Sequence, residues 1–288
     1  MNDPLATDRI ILLGTKGGPS VRAKTSLPSS NALIRNGKLF VIDAGYGVSL
    51  RLVEAGLPLA AIEAIFITHH HSDHTLELGV LIHNSWVGGR KTPVHIYGPP
   101  ETKHLVKHFL EAYRFDIKTR IADEGRPDLR QLVFVHEFSH GDVAAIDGMR
   151  VSALRNVHPP IQDSFSLKFA SGDRKFVFSG DTTFHPPLAE FAQDADVLVH
   201  EVMCGKAIES MIARYPNADR LLEHLKASHT LMGDVGRIAT QARARKLVLN
   251  HFVPGDDPFL TERHWREGVA QEFGGEVIVG KDLMEIEV

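Results

Sequence analysis

The sequence predicts an α/β fold of two β-sheets covered by helices, and three observations predict it. Apolar runs of strand length alternate with amphipathic runs of helical length in both halves of the chain. No Pro- or Ser-rich linker separates the halves, and no short-period repeat or low-complexity tract interrupts them. With 288 residues, 43% of them hydrophobic, the chain is long enough to bury a sizeable core as one domain spanning residues 1–288.

Taken in order, Ile10 to Leu13, Ala32 to Ile34 and Leu39 to Ile42 read as strands. Asn36-Gly37 between the last two is a hairpin signal, because both residues tolerate positive φ. A helical run from Val48 to Ala55 stops at Gly56, a C-cap residue. Ile62 to Thr68 is a buried-strand run that ends abruptly in the polar cluster His69 to His74. Leu76 to Trp86 reads as helix, Val94 to Tyr97 as strand and Glu101 to Tyr113 as amphipathic helix. Asp123 to Arg130 has the texture of a loop. Strands then fit Leu132 to His136, Met149 to Val157, Ser164 to Phe169, Lys175 to Ser179, Val197 to His200, Leu247 to Asn250 and Glu276 to Val279. Helices fit Pro187 to Gln193, Lys206 to Arg214, Asn217 to Lys226, Leu231 to Ala244 and Thr261 to Phe273.

Composition narrows the setting. The single cysteine, Cys204, excludes an internal disulfide and fits a reducing compartment. Met1 to Arg9 lacks the basic start and apolar stretch of a signal peptide, and no window approaches a membrane span. A cytoplasmic protein without a membrane partner is expected. The net charge of −4 argues against a large basic nucleic-acid footprint, although a local basic patch survives such an average.

Seventeen histidines stand out, and position decides which carry chemistry. Thr68-His69-His70-His71-Ser72-Asp73-His74 has the spacing His-x-His-x-Asp-His. On a tightly turning loop His69 and His71 can grip one ion, and Asp73 and His74 a second. Neutral imidazole and carboxylate suit zinc and other borderline divalent ions, manganese and iron among them. Four ligands do not complete two sites. His158, Asp181 and His251 each follow an apolar strand-like run, the usual place for function on a layered scaffold. Lys16-Gly17-Gly18-Pro19, with Arg22 and Lys24, reads equally as a phosphate-facing loop or a plain turn; it lacks the ending of a P-loop.

The pattern resembles the metallo-β-lactamase superfamily, and its ribonuclease Z-like branch in particular. The resemblance rests on Leu13-Gly14-Thr15 to Pro19, Ile42-Asp43-Ala44-Gly45, the His69–His74 motif, Tyr97-Gly98-Pro99, Ser179-Gly180-Asp181-Thr182, His200-Glu201, Ser228-His229-Thr230 and Asn250-His251. It implies an αββα four-layer sandwich with the metal site at the edge between the two sheets. It implies that His69, His71 and His158 hold one metal, that Asp73, His74 and His251 hold the other, and that Asp181 bridges them. By the same resemblance His229 donates a proton or stabilises developing charge, Glu201 orients it, Asp43 holds the metal loop from beneath, and the protein is a homodimer. Two such ions share a water and lower its pKa towards neutrality, so no Ser or Cys nucleophile is needed; Asp73 is the residue placed to orient or deprotonate that water. His70, between two ligands, is expected to point away, and His185 to stand near the pocket. The other histidines, His200 and His224 among them, have no motif support.

The resembled tRNA-processing enzymes carry a long arm between the third histidine motif and the bridging aspartate. Here His158 and Asp181 are 23 positions apart, filled by a turn and two strands. The expectation is therefore a dinuclear zinc hydrolase that uses a metal-bridging hydroxide on a phosphodiester, sulfate ester or other small ester. The alternatives are tRNA 3′ processing on RNA, an iron-dependent redox enzyme and a non-catalytic metal-binding module.

Overall fold

The computed structural model describes residues 3–212, 219–255 and 257–288. The chain divides into two compact units. The first comprises residues 1–14, 27–138 and 283–288, and the second 15–26 and 139–282.

The first unit contains β1 (Arg9–Gly14), β2 (Ser30–Arg35), β3 (Lys38–Ile42), α1 (Val48–Glu54), β4 (Ile62–Phe66), α2 (Ser72–Thr75), α3 (Leu78–Val87), β5 (Val94–Gly98), α4 (Thr102–Ala112), α5 (Arg114–Glu124), α6 (Leu129–Leu132) and β6 (Val133–Glu137). The second contains β7 (Gly141–Ile146), β8 (Met149–Arg155), β9 (Phe165–Ser171), β10 (Arg174–Phe178), α7 (Pro187–Phe191), β11 (Val197–Met203), α8 (Gly205–Ile212), α9 (Asp219–Ser228), α10 (Met232–Gln241), β12 (Lys246–Val253), α11 (Glu262–Ala270) and β13 (Glu276–Val279). The final strand, β14 (Met284–Glu287), returns to the first unit.

Each unit is built on one seven-stranded sheet, ordered β14-β1-β2-β3-β4-β5-β6 in the first and β13-β12-β11-β10-β9-β8-β7 in the second. Both sheets are mixed. β14 to β3 pair antiparallel and β3 to β6 parallel; β7 to β10 pair antiparallel and β10 to β13 parallel. Asn36 and Gly37 take φ of 53° and 72°, so a two-residue turn with both φ positive closes the β2–β3 hairpin in register Arg35↔Lys38. Helices cover one face of each sheet. In the first unit Leu52, Leu81, Trp86 and Val106 pack on Leu13, Val41, Ile65 and Ile96; in the second Leu188, Ile238 and Val269 pack on Val177, Leu198 and Leu249. The central parallel strands β11 and β12 are buried almost throughout, which is why Val197 to Val199 and Leu247 to Leu249 read as continuous apolar runs.

Several boundaries differ from expectation. β8 ends at Arg155, so His158 stands on a connection rather than at the strand tip. β11 continues through Glu201 to Met203, and β12 through His251 to Val253. Strands β7 and β14 and helix α5 are additional to the sequence reading, and a short helix, α6, begins inside the loop-like Asp123–Arg130 stretch. Arg214 and Asn217, where two helices were expected to end and begin, lie outside the described residues. No helix among the described residues is long and apolar enough to cross a membrane.

Candidate metal centre

In the first unit the chemistry hangs from the C-terminal end of β4. Thr68 and His69 are fully buried there, and Asp43 stands beside them in the left-handed region at φ 63°, which aspartate tolerates. Its carboxylate accepts from the Thr68 N–H at 2.8 Å, from the Thr68 hydroxyl at 2.9 Å and from His74 Nδ1 at 2.7 Å. One buried carboxylate thus ties the entry of the metal loop to its exit. Gly45 completes the floor, since a Cβ there would lie 2.3 Å from the Asp73 carbonyl oxygen.

These bonds set tautomers. His74 donates its Nδ1–H to Asp43, which leaves Nε2 with the lone pair, 3.7 Å from Asp73 Oδ2. The Thr68 hydroxyl spends its one hydrogen on Asp43, so His69 Nδ1 donates to it at 3.0 Å. His69 Nε2 then faces His71 Nδ1 at 3.2 Å. Two nitrogens bound to one tetrahedral zinc at about 2.0 Å stand about 3.3 Å apart, so the pair already has ligand spacing. His70 turns the other way, towards the Pro100 carbonyl at 3.0 Å and the Thr102 hydroxyl at 3.2 Å.

In the second unit Asp181 follows β10. Its Oδ2 lies 3.2 Å from His251 Nε2 and 3.8 Å from His158 Nε2. His158 donates Nδ1 to the Ser228 carbonyl at 2.9 Å, again leaving Nε2 for a ligand. His251 is a bulge in β12: Glu201 pairs with Asn250 and Val202 with Phe252, so His251 has no partner residue in β11 and takes φ 42°. A residue other than glycine held there is a strained feature of the kind that collects at functional sites. Gly17 makes room for it, since a Cβ at Gly17 would lie 2.9 Å from His251 Cε1 and 2.6 Å from Val253 Cγ2.

Glu201 and His229 stand next to this group. His229 Nδ1 donates to Glu201 at 3.1 Å, and Glu201 Oε1 also accepts from the Thr182 N–H at 2.9 Å. Burial first, and then the Asp181 carboxylate, holds Glu201 well above the usual carboxylate range. The His229 ring lies 5.4 Å from that of His158 and 5.5 Å from that of His251. One ligand-type atom from each of Glu201, His229 and His251 falls within 4.8 Å of the others.

Two participants escaped the sequence reading. Asn156 sends its amide to the carbonyls of Ser179 and Asp181, at 2.8 and 3.1 Å, and so fixes the backbone that carries Asp181. Its only signal was a polar residue ending an apolar run. His224, on the last turn of α9, lies 6.2 Å from the His158 ring and 6.4 Å from that of His229. Ser228 gives its hydroxyl proton to the Pro159 carbonyl and receives His224 Nδ1 at 3.3 Å, so the α9 terminus is bonded to the connection that carries His158. Of the remaining candidates, Lys16 is buried with Nζ 3.5 Å from the Ser20 hydroxyl, whereas Arg22 and Lys24 are exposed. His200 is buried against the Glu201 carbonyl, and His185 is half-buried. Cys204 belongs to the apolar core of the second unit.

The donor set suits a divalent cation: imidazoles whose second nitrogen is committed to a carboxylate, hydroxyl or carbonyl, beside buried aspartates. Comparison with known proteins agrees. Residues 9–251 match the family model described as Anti-Pycsar protein Apyc1. A ribonuclease Z of Mycobacterium bovis is 32% identical over 283 residues, covering 97% of this chain and 98% of that protein. The metallo-β-lactamase fold protein YhfI from Bacillus subtilis superposes with a TM-score of 0.71 at 20% identity, over 97% of this chain and 98% of its own. Human tRNase Z, short form, gives a TM-score of 0.70 at 22% identity, over 96% and 98%. The two seven-stranded mixed sheets with their helices are thus the metallo-β-lactamase fold.

Proposed function

The chain belongs to the Anti-Pycsar protein Apyc1 family and, with its ribonuclease Z relatives, to the ribonuclease Z-like metal-dependent hydrolases of the metallo-β-lactamase superfamily, and we propose that it cleaves phosphodiesters with two zinc ions. The observation that carries this reading is the tautomer pattern. Asp43, Thr68 and the Ser228 carbonyl each accept a hydrogen bond from a histidine Nδ1–H and leave Nε2 as the ligand nitrogen. A single domain over residues 1–288 belongs to the same proposal. His69, His71 and His158 would hold one ion and Asp73, His74 and His251 the other, with Asp181 shared between them.

Two divalent ions bound there would lower the pKa of a shared water and polarise the ester oxygen. Asp73 would orient that water and accept its proton. Glu201 holds His229 by Nδ1, and a proton on His229 Nε2 would be the one given to the leaving oxygen. Asp43, Asn156 and the Ser228 carbonyl keep the ligands from rotating.

The ribonuclease names of the relatives put phosphodiesters ahead of sulfate esters and lactones. Between His158 and Asp181 the chain holds only a turn, β9, β10 and their connections, which favours a small diester over tRNA. The buried thiol Cys204 accords with a reducing cytoplasm. The homodimer belongs to the same proposal, and light scattering tests it. The zinc-loaded protein should turn over bis(p-nitrophenyl) phosphate, and a His69→Ala/Asp181→Ala variant should not. Turnover of aryl sulfates or lactones alone would move the substrate class, and equal activity in both proteins would end the reading.

A further inference from the structure

The first sheet ends at β6. The Phe138 N–H donates to the Gly98 carbonyl at 2.9 Å, and backbone groups alternate along a parallel ladder. Phe134, His136 and Phe138 therefore turn their N–H and C=O groups to β5, and Val133, Val135 and Glu137 turn theirs outward. Proteins usually guard such an edge with lysine or proline. The strand Val133-Phe134-Val135-His136-Glu137 has neither.

Two surfaces flank this edge. Towards α4 lies a groove of about 450 Å³ floored by Val106, Leu110, Val133 and Val135. Lys103 and Lys107 line it, one helical turn apart, and neither has an ion-pair partner among the described residues. The groove's other charges are paired, Arg130 with Asp128 and Glu111 with Arg114. On the opposite face of β6, Phe134 is 45% exposed. Four residues of helix rise about 6.0 Å and two residues of strand about 6.7 Å, so Lys103 and Lys107 match alternate residues of an added strand.

We infer that the outer edge of β6 and the α4 groove form a docking site for an extended segment of a partner protein that alternates acidic and apolar residues. The segment adds to the sheet as an eighth strand. Its carboxylates reach Lys103 and Lys107 while their stems cover Val133 and Val135, and its apolar residues cover Phe134. None of the groove's residues is a proposed metal ligand, and the inference does not depend on the substrate.

The probe is a fluorescein-labelled peptide of four Glu-Val repeats, capped at both ends, titrated against the zinc-loaded full-length protein, with a Lys-Val peptide as control. The Glu-Val peptide should bind at least about tenfold more tightly, because two attractive charge contacts replace two repulsive ones. Lys103→Glu/Lys107→Glu should reverse that preference. The Val133, Val135 and Glu137 amides should become protected from hydrogen exchange on binding, and Val135→Pro, which removes one outward donor, should abolish binding. Equal affinity for the two peptides, an unchanged preference in the double charge variant, or no protection at those amides would overturn the inference. So would self-association of the protein through β6 that excludes the peptide.

Discussion

Asp43→Asn isolates the part played by the carboxylate beneath the metal loop. The asparagine oxygen can still accept from Thr68, but its NH₂ then points at His74 Nδ1–H, donor against donor. His74 escapes the clash only by moving its proton to Nε2, the nitrogen proposed to bind metal, or by rotating away. Three hydrogen bonds to a buried carboxylate, two of them from Thr68, are weakened or lost. A single hydrogen bond to a charged group contributes about 1.5–3 kcal/mol, so the metal-free protein should lose a few kcal/mol of stability but remain folded. The larger effect falls on the metal. Removing such an orienting partner costs about 10- to 100-fold in affinity. Zinc competition against a chromophoric chelator reads this directly, and excess zinc should restore much of the turnover. Zinc affinity within twofold of wild type would show that Asp43 does not set the His74 tautomer, and the reasoning would fail.

Other expectations follow from the same geometry. His229→Ala should lower kcat by about 10²- to 10⁴-fold with the zinc content unchanged, as a lost proton donor requires; parallel loss of zinc would make His229 a ligand instead. Burial depresses His200 to about 4, against 6.5 unperturbed. The unfolded chain therefore binds the proton first as pH falls, so this contribution to stability is complete above about pH 6.5 and is lost progressively down to about pH 4, an effect of about 3 kcal/mol. Urea midpoints measured across that window should fall more steeply in wild type than in His200→Gln, and identical slopes would contradict the assignment. Gly17→Ala forces a methyl against Val253 and His251. It should cost about 1–3 kcal/mol in stability and weaken zinc binding, whereas Gly18→Ala, which meets no atom but is strained at φ 84°, should lower stability and leave zinc binding unchanged.

The contrast between these residues explains what the sequence made legible. His69, His71, Asp73 and His74 are contiguous, follow a continuous apolar strand and need no tertiary information to be grouped. Asp181 was visible as a polar residue after an apolar run, and His251 for the same reason, although β12 continues past it through a bulge. A bulged histidine looks like a strand end because sequence periodicity carries no record of backbone φ. Asn156 and His224 were not legible, because their roles come from bonds to Ser179, Asp181 and Ser228, which only folding brings near. Helix α5 was missed for a different reason: it buries little apolar surface and is laced by Asp116–Arg120 and Arg120–Glu124 pairs, so it lacks an apolar stripe. β7 was missed because its Gly-Asp-Val-Ala-Ala-Ile run has weak strand propensity and lies at a sheet edge. The two-residue hairpin at Asn36-Gly37, by contrast, was encoded locally and forms as read.

The most direct test of the account is anomalous scattering from crystals of the zinc-loaded protein, recorded at the zinc edge. The account predicts two ions per chain, one within about 2.0–2.2 Å of His69, His71 and His158, the other within that range of His74 and His251 and of an Asp73 oxygen, with Asp181 touching both. A single ion, or two ions each held by residues of one unit alone, would contradict it.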